Sequence, residues 1–268
     1  MPELPEVENV RLTLENILPK GSRFKKVTLN RPDLRFPFPE KMAERLLGQA
    51  LLNIQRRAKY LVFETDKYLL LSHLGMTGSW RELSESELHD HMIWEFEAGP
   101  TLVFNDPRRF GFVSMYEKGE TPVPFIGLGP EPLSSDFSSD YLFQVSRKKN
   151  TPLKSFLLDQ KTVAGLGNIY VCEALFLARL KPSRKARSLK VVECERLVKA
   201  VRVILQQAIR AGGSTIRDYK NAEGKSGEFQ QRFRVYGRDG EKCRSCRKPI
   251  RLLRQAGRST FWCSQCQK

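Results

Sequence analysis

An α+β chain of several domains is what the sequence predicts: a β-rich N-terminal part, a helical C-terminal part and a small metal-stabilised finger at the end. Three observations carry that reading. Between Gln55 and Met115 short apolar runs alternate with polar turns and no long helical period intervenes. Such a pattern suits an antiparallel sandwich or barrel rather than a doubly wound parallel sheet. Beyond residue 130 the chain reads as mainly helical, with a plausible N-cap at Asn168 and a Gly212-Gly213 stop after a long helical segment. The end of the chain concentrates Cys243, Cys246, Cys263 and Cys266.

Taken in order, the chain begins with a short extended piece that runs into a helix. Pro5 suits an early helical position, and Glu6 and Glu8 lie near the positive end. Val7, Val10, Leu14 and Ile17 form one apolar stripe, which Pro19-Lys20-Gly21 stops. Residues 22–36 read as strand and turn, and 42–47 as a short helix. Tyr60–Glu64 and Tyr68–Leu71, joined by Thr65-Asp66-Lys67, have a hairpin pattern. Met92–Phe96, Thr101–Phe104 and Phe112–Tyr116 supply further strands, and the Pro- and Gly-rich stretch 121–132 reads as a linker. Residues 135–146 and 152–160 are short helical candidates. A helix over 168–178 has Asn168 as its expected N-cap, and a long one over 189–211 is closed by Gly212-Gly213. The polar, aperiodic stretch 217–232 reads as a loop. These divisions give segments 1–130, 131–235 and 236–268, with no internal repeat.

Charge narrows the partners. The 46 Lys and Arg outnumber the 30 Asp and Glu, a net +16, which favours polyanions through attraction and counterion release. Nothing at the start has the basic and apolar regions of a secretory signal, and no apolar run is long enough to span a membrane. A membrane partner is therefore not expected.

The cysteine quartet is the sharpest motif. Cys243-Arg-Ser-Cys246 and Cys263-Ser-Gln-Cys266 are two knuckles separated by 16 residues. Two residues between thiolates let both reach one ion, and two knuckles complete a closed tetrahedral site whose default ion is one structural Zn2+. Residues 250–253 and 260–262 suit two strands of a hairpin between them. Too little would be buried for a finger of this size to fold alone, so metal supplies its folding energy. Cys172 and Cys194, on helical segments with no nearby His, read as buried small hydrophobes. The cysteine pattern suits a reducing compartment, and with no secretory signal a cytoplasmic protein is expected. The finger also carries Arg251, Arg254 and Arg258 and no acid between Lys242 and Lys268, and 174–192 is likewise basic and acid-free. Nucleic-acid phosphate is the expected ligand of such segments. Composition and spacing by themselves leave the chemistry open.

The opening Met1-Pro-Glu-Leu-Pro-Glu-Val-Glu8, taken with the four-cysteine finger, resembles the bacterial formamidopyrimidine-DNA glycosylases. The resemblance continues through Arg56-Arg-Ala-Lys-Tyr60, His73-Leu-Gly-Met76, His89-Asp-His91 and Asp106-Pro-Arg-Arg-Phe-Gly111. It resumes at Gly127-Leu-Gly-Pro-Glu-Pro132, Val163-Ala-Gly-Leu-Gly-Asn-Ile-Tyr170, Gly212-Gly-Ser-Thr215, Val235-Tyr-Gly237 and Gly257-Arg258. It implies an N-terminal β-sandwich with flanking helices, a C-terminal helix–two-turn–helix domain and a zinc-finger hairpin. It also implies excision of oxidised purines, followed by cleavage at the abasic site. The expected partner is double-stranded DNA containing oxidised bases or abasic sites, engaged by a monomer at the bacterial nucleoid.

The same resemblance implies residue roles. Pro2, once Met1 is removed, would be the nucleophile through its secondary amine. An α-amine titrates near 8, so its neutral fraction at neutrality is larger than that of a lysine, which titrates at about 10.4. Glu3 would transfer protons and Glu6 would orient the amine or the bound nucleoside. Lys59, at the hairpin, would touch phosphate and aid base excision. Met76, Arg108 and Phe110 would fill the stack left by an extruded nucleotide, with Arg108 bonding the orphaned cytosine and Phe110 wedging between bases. Lys154, Asn168 and Arg258 would contact phosphate. His91 is counted among the DNA-facing residues, whereas His73, His89 and His91 together are not read as a metal site. The 217–235 stretch would cap the lesion, with no single residue of it matched to a contact. Leu4 stands where the pyrimidine-directed endonuclease VIII branch has Gly, which favours purine lesions. That branch is the alternative enzyme, and a non-catalytic protein that binds damaged DNA is the alternative of another class.

Overall fold

The structure, a computed structural model, describes residues 2–214 and 227–268. The chain divides into two compact units: residues 1–126 with 211–228, and residues 127–210 with 229–268. No helix among the described residues is long and apolar enough to cross a membrane.

In the first unit helix α1 (Leu4–Ile17) precedes eight strands: β1 (Phe24–Leu29), β2 (Leu51–Arg57), β3 (Tyr60–Thr65), β4 (Tyr68–His73), β5 (Ser79–Glu82), β6 (Asp90–Phe96), β7 (Leu102–Asn105) and β8 (Phe112–Glu117). A short helix α2 (Met42–Leu46) lies between β1 and β2. Two four-stranded antiparallel sheets result, ordered β1-β6-β7-β5 and β2-β3-β4-β8. Aromatic residues lock one sheet to the other. Phe63 of β3 packs on Trp80 of β5 and Trp94 of β6 at 5.3 and 5.0 Å between ring centroids. The Trp80 indole N–H donates to Ser72 Oγ of β4 at 3.0 Å, so a polar atom buried with its large ring has its partner. This is the expected β-sandwich. Strands β2 and β5 extend beyond the runs that the apolar alternation marked out.

Helix α1 lays Val7, Val10 and Leu14 into the same core. A carboxylate, Glu8, pins it to β2 by bonding Arg56 Nε at 2.8 Å while also holding Arg11.

The second unit holds α3 (Ser139–Ser146), α4 (Leu153–Leu158), α5 (Asn168–Leu177) and α6 (Val191–Arg210), then the hairpin β9 (Ile250–Gln255) and β10 (Arg258–Cys263). Ser138 caps α3 by accepting the Tyr141 amide at 3.1 Å. The N-cap of α5 is Gly167 rather than Asn168, which is the first helical residue. With the amide of Gly167 in extended backbone, Asn168 is freed to use its side chain elsewhere. Residues 217–226 of the expected loop lie outside the described residues. Its end, Phe229–Arg232, is one turn of 3-10 helix with Phe229 buried against Tyr170.

Candidate active site and zinc finger

The start of α1 is built by two acids three residues apart. Glu3 is the N-cap and Glu6 the third helical residue, forming a capping box in which Glu6 Oε2 accepts the Glu3 amide at 2.9 Å. Glu6 Oε1 accepts both the Ser214 amide at 2.7 Å and the Ser214 hydroxyl at 2.9 Å. One carboxylate therefore ties the helix start to the chain just after Gly212-Gly213. The approach is close: a Cβ on Gly213, whose φ is +82°, would meet Glu6 Cγ at 3.1 Å. Pro2, Glu3 and Glu6 are all buried, so the three sequence-predicted acid–amine partners share one fixed helix start.

Lys59 sits in the two-residue turn between β2 and β3, where Ala58 takes a left-handed φ of 55°. Its side chain is largely covered. His73, at the end of β4, stacks on Phe112 at 5.6 Å, and its Nδ1 accepts the Gly75 amide at 3.0 Å. Burial, then the charges of Lys59 and Arg35, push His73 down to about 4. The ring is thus neutral near pH 7, as an Nδ1 acceptor requires. A base whose folded pKa lies below its unfolded value of 6.5 stabilises the fold above that value, and the contribution is lost as pH falls from 6.5 towards 4. We expect about 3 kcal/mol of stability to disappear over that window at this site. Denaturant unfolding at pH 7 and pH 4.5 reads it, and His73→Gln should flatten the profile there; an unchanged profile would contradict the buried neutral ring.

Two loops carry the expected stack-filling trio, and the structure brings them into contact. A Cβ on Gly75, whose φ is +62°, would lie 2.4 Å from Gly111 N and Phe110 C, so only glycine permits this approach. Asp106, fully buried, organises the second loop: Oδ2 accepts the Gly111 amide at 2.7 Å and Oδ1 the Thr77 hydroxyl at 2.6 Å. Met76 and Phe110 are left 40% and 44% exposed, unusual for large apolar side chains, and the Arg108 guanidinium lies 4.8 Å from the Phe110 ring centroid. His91, counted among the DNA-facing residues, also bonds to this loop. It is buried, its Nε2 engaged with the Asp106 carbonyl at 2.9 Å, so it buttresses this loop. Asp106 itself carries no family role in the sequence reading. Its signal is the Asp106-Pro107 turn that follows a strand.

In the second unit Lys154 and Asn168 converge on the finger. Lys154 is wholly buried, its Nζ donating to the Ser259 carbonyl and to Thr260 Oγ1, each at 2.7 Å. Asn168 Nδ2 donates to the same Ser259 carbonyl at 3.0 Å. Lys154, expected to contact phosphate, thus holds the carbonyl of the residue after Arg258 from inside the protein, while Arg258 is exposed. Lys154→Met should cost about 3 kcal/mol, since it strands a carbonyl and a hydroxyl in the interior. Thermal unfolding of the zinc-loaded variant measures it, and a loss below 1 kcal/mol would deny the clamp.

The four cysteine sulfurs lie within 4.8 Å of one another, with Cys243–Cys266 at 3.9 Å and Cys246–Cys263 at 3.4 Å. A tetrahedral zinc with bonds near 2.3 Å needs sulfurs about 3.8 Å apart, so the donor set fits one structural zinc. Burial opposes ionisation of Cys243, but the amides of Cys246 and Ser245 help bring it down to about 7. Behind the knuckles Ile250 and Phe261 pack on Cys172 and Phe176 of α5.

A β-sandwich unit joined in one chain to a helical unit with a four-thiolate zinc finger defines a zinc-finger protein with a buried, acid-flanked helix start. Three family models match it in succession: the formamidopyrimidine-DNA glycosylase N-terminal domain at 1–113, the formamidopyrimidine-DNA glycosylase H2TH domain at 128–220, and the zinc finger found in FPG and IleRS at 240–268. The chain belongs to the formamidopyrimidine-DNA glycosylase family. It is 48% identical to the formamidopyrimidine-DNA glycosylase of Bdellovibrio bacteriovorus and 47% identical to that of Bartonella henselae, each alignment covering 100% of both chains. Among solved structures, the MutM (Fpg) protein of Thermus thermophilus matches with a TM-score of 0.89 at 41% identity, over 99% of this chain and 98% of that one. A Lactococcus lactis Fpg mutant in complex with DNA containing Fapy-dG matches at 0.91 and 37% over 100% of both.

Proposed function

We infer that this protein is a DNA glycosylase for oxidised purines, with abasic-site lyase activity. One observation carries the reading: in a chain of this family, Pro2, Glu3 and Glu6 are buried together at a helix start held by Ser214. The solved relatives bound to Fapy-dG and abasic-site DNA support the substrate class.

In the proposed reaction the neutral Pro2 amine attacks C1′ of the extruded nucleotide and the bond from C1′ to the base breaks. The bond's electron pair leaves with the base, which takes up the proton that the nitrogen gives up; the C1′–O4′ bond then breaks as O4′ takes a proton from Glu3, leaving an iminium at C1′. That cation acidifies C2′, whose proton is lost as the 3′ phosphate departs; a second elimination releases the 5′ phosphate, and water then frees Pro2. Glu6 positions the amine by holding the helix start. Met76, Arg108 and Phe110, on two loops fixed by Gly75 and Asp106, occupy the vacated stack. Arg258 binds phosphate from a finger shaped by zinc, and Asn168 and Lys154 act on it through Ser259. Residues 1–130, 131–235 and 236–268 serve as catalytic, DNA-gripping and finger modules of a monomer. The duplex is double-stranded DNA in the bacterial cytoplasm, an assignment supported by the net charge and by the thiolate site.

A panel of duplexes tests the substrate. Base release from 8-oxoguanine or formamidopyrimidine paired with cytosine should exceed release from thymine glycol by at least tenfold. Preference for thymine glycol would transfer the protein to the pyrimidine-directed branch, and tight binding without release would make it a lesion binder.

A further inference from the structure

We propose that the helical unit carries a second anion site, separate from the DNA-binding residues, that takes a compact ligand bearing two or more phosphoryl groups. A cavity of about 570 Å³ is lined by Arg179, Arg232, Arg234 and Arg244, with Phe229 in its wall and Cys266 at its edge. Four arginines lining one cavity gather like charge there, which is costly by mutual repulsion unless an anion joins them. None of the four forms an ion pair with a carboxylate among the described residues. Glu173 is close enough to feel Arg234, but its oxygens are taken by the backbone amides of Arg234, Val235 and Tyr236 at 2.9 to 3.1 Å. Arg244 reaches only the Gln231 carbonyl, at 3.4 Å. Arg234 Nη1 is buried with no hydrogen-bond partner, a condition for which an ion or water is one accepted explanation.

Position separates this cavity from the duplex-facing residues. Arg179 follows the C-terminal end of α5, whereas Asn168 opens the helix; at 1.5 Å per residue the two ends are roughly 14 Å apart. Arg244 and Cys266 lie at the knuckle end of the finger. Arg258 lies at the other end of β10, where it pairs with Gln255 while Cys263 pairs with Ile250, roughly 17 Å away along the strand. The volume lies in the range of small-molecule pockets, whereas peptide docking uses extended grooves. Four forked guanidiniums can bond more oxygens than one phosphate presents, so a diphosphate, free or as the tail of a nucleotide, fits best. Bound there, it would bridge the end of α5 to the first cysteine knuckle.

Calorimetric titration of the zinc-loaded full chain tests this with inorganic diphosphate, adenosine triphosphate and adenosine, each with and without saturating undamaged duplex. Saturable diphosphate binding that persists beside the duplex is expected. Equal affinity for the triphosphate with silence from adenosine assigns recognition to the phosphates, and much tighter triphosphate binding assigns it to a nucleotide. Arg179→Gln with Arg244→Ala should weaken binding at least tenfold, while Arg258→Ala should leave it intact. Both substituted side chains are exposed, and zinc content and unfolding temperature verify the fold. Shifts of the guanidinium Nε–H resonances of Arg232 and Arg234 give a second readout in the unaltered protein. Absence of saturation, displacement by duplex, loss in Arg258→Ala, or binding of a glutamate-rich peptide in place of diphosphate would each overturn the proposal.

Discussion

Processed protein whose Pro2 nitrogen carries an acetyl group is expected to release no 8-oxoguanine beyond background, a loss on the order of 1,000-fold or more, as for removal of a nucleophile elsewhere. Duplex affinity should change little. The amide nitrogen so formed has no basic lone pair, while the acids and the basic surface are untouched. The structure makes the experiment discriminating. Glu6 is already committed to the Glu3 amide and to Ser214, and Lys59 lies in a different turn, so neither is arranged to replace the lost amine. Borohydride reduction of a reaction on damaged duplex should trap a covalent adduct on the peptide beginning at Pro2. Capture on Lys59, or base release undiminished by the acetyl group, would end the assignment. The chemistry also explains why a terminal proline serves. Its amine is neutral more often than a lysine at the same pH, and the positive end of α1 favours the uncharged form.

How much of this was legible follows from what each residue must satisfy. The finger could be read outright, because ligation fixes residue type and spacing together. Helix α1 was legible from its stripe, and the helices of the second unit from their start and stop signals. The capping box lies in Glu3 and Glu6, which stand at the required interval on either side of Pro5. Strand β5 has one apolar residue, Trp80, in four, too few for alternation to register, and β2 presents mostly polar side chains outward. The burial of Lys154 is not legible because lysine is an exposed residue by default. The signal was its setting, Leu153 before it and Phe156 and Leu157 after it, all buried. A charge in so apolar a helix needs an internal acceptor, and the finger's Ser259 carbonyl, 105 residues away, is one that no local pattern could supply. Asp106 and His91 fall in the same category, since a buried carboxylate serving backbone amides is defined by tertiary contacts alone.

Removal of zinc by a strong chelator at neutral pH should unfold the finger and with it most of the DNA affinity, leaving the sandwich intact. Between the knuckles only Ile250, Phe261 and Trp262 are large and buried, too little apolar area to order the whole hairpin against its conformational entropy. Binding of a structural zinc supplies roughly 10 kcal/mol or more, so its loss exceeds what those contacts can offset. The consequence reaches the DNA surface by a traceable route. Arg258 is held by β10, whose next carbonyl, Ser259, is fixed by Lys154 and Asn168. When the hairpin melts, that carbonyl leaves, the buried ammonium loses two bonds, and Arg258 no longer has a fixed place. Duplex affinity should therefore fall at least tenfold, with the slope of log affinity against log salt reduced by about 1 for the phosphate given up. Hydrogen exchange should show the amides of 250–263 unprotected while those of β3 and β4 stay protected, and four thiols should become reactive. Persistent protection of the hairpin in metal-free protein would show that packing on α5 alone sustains the finger.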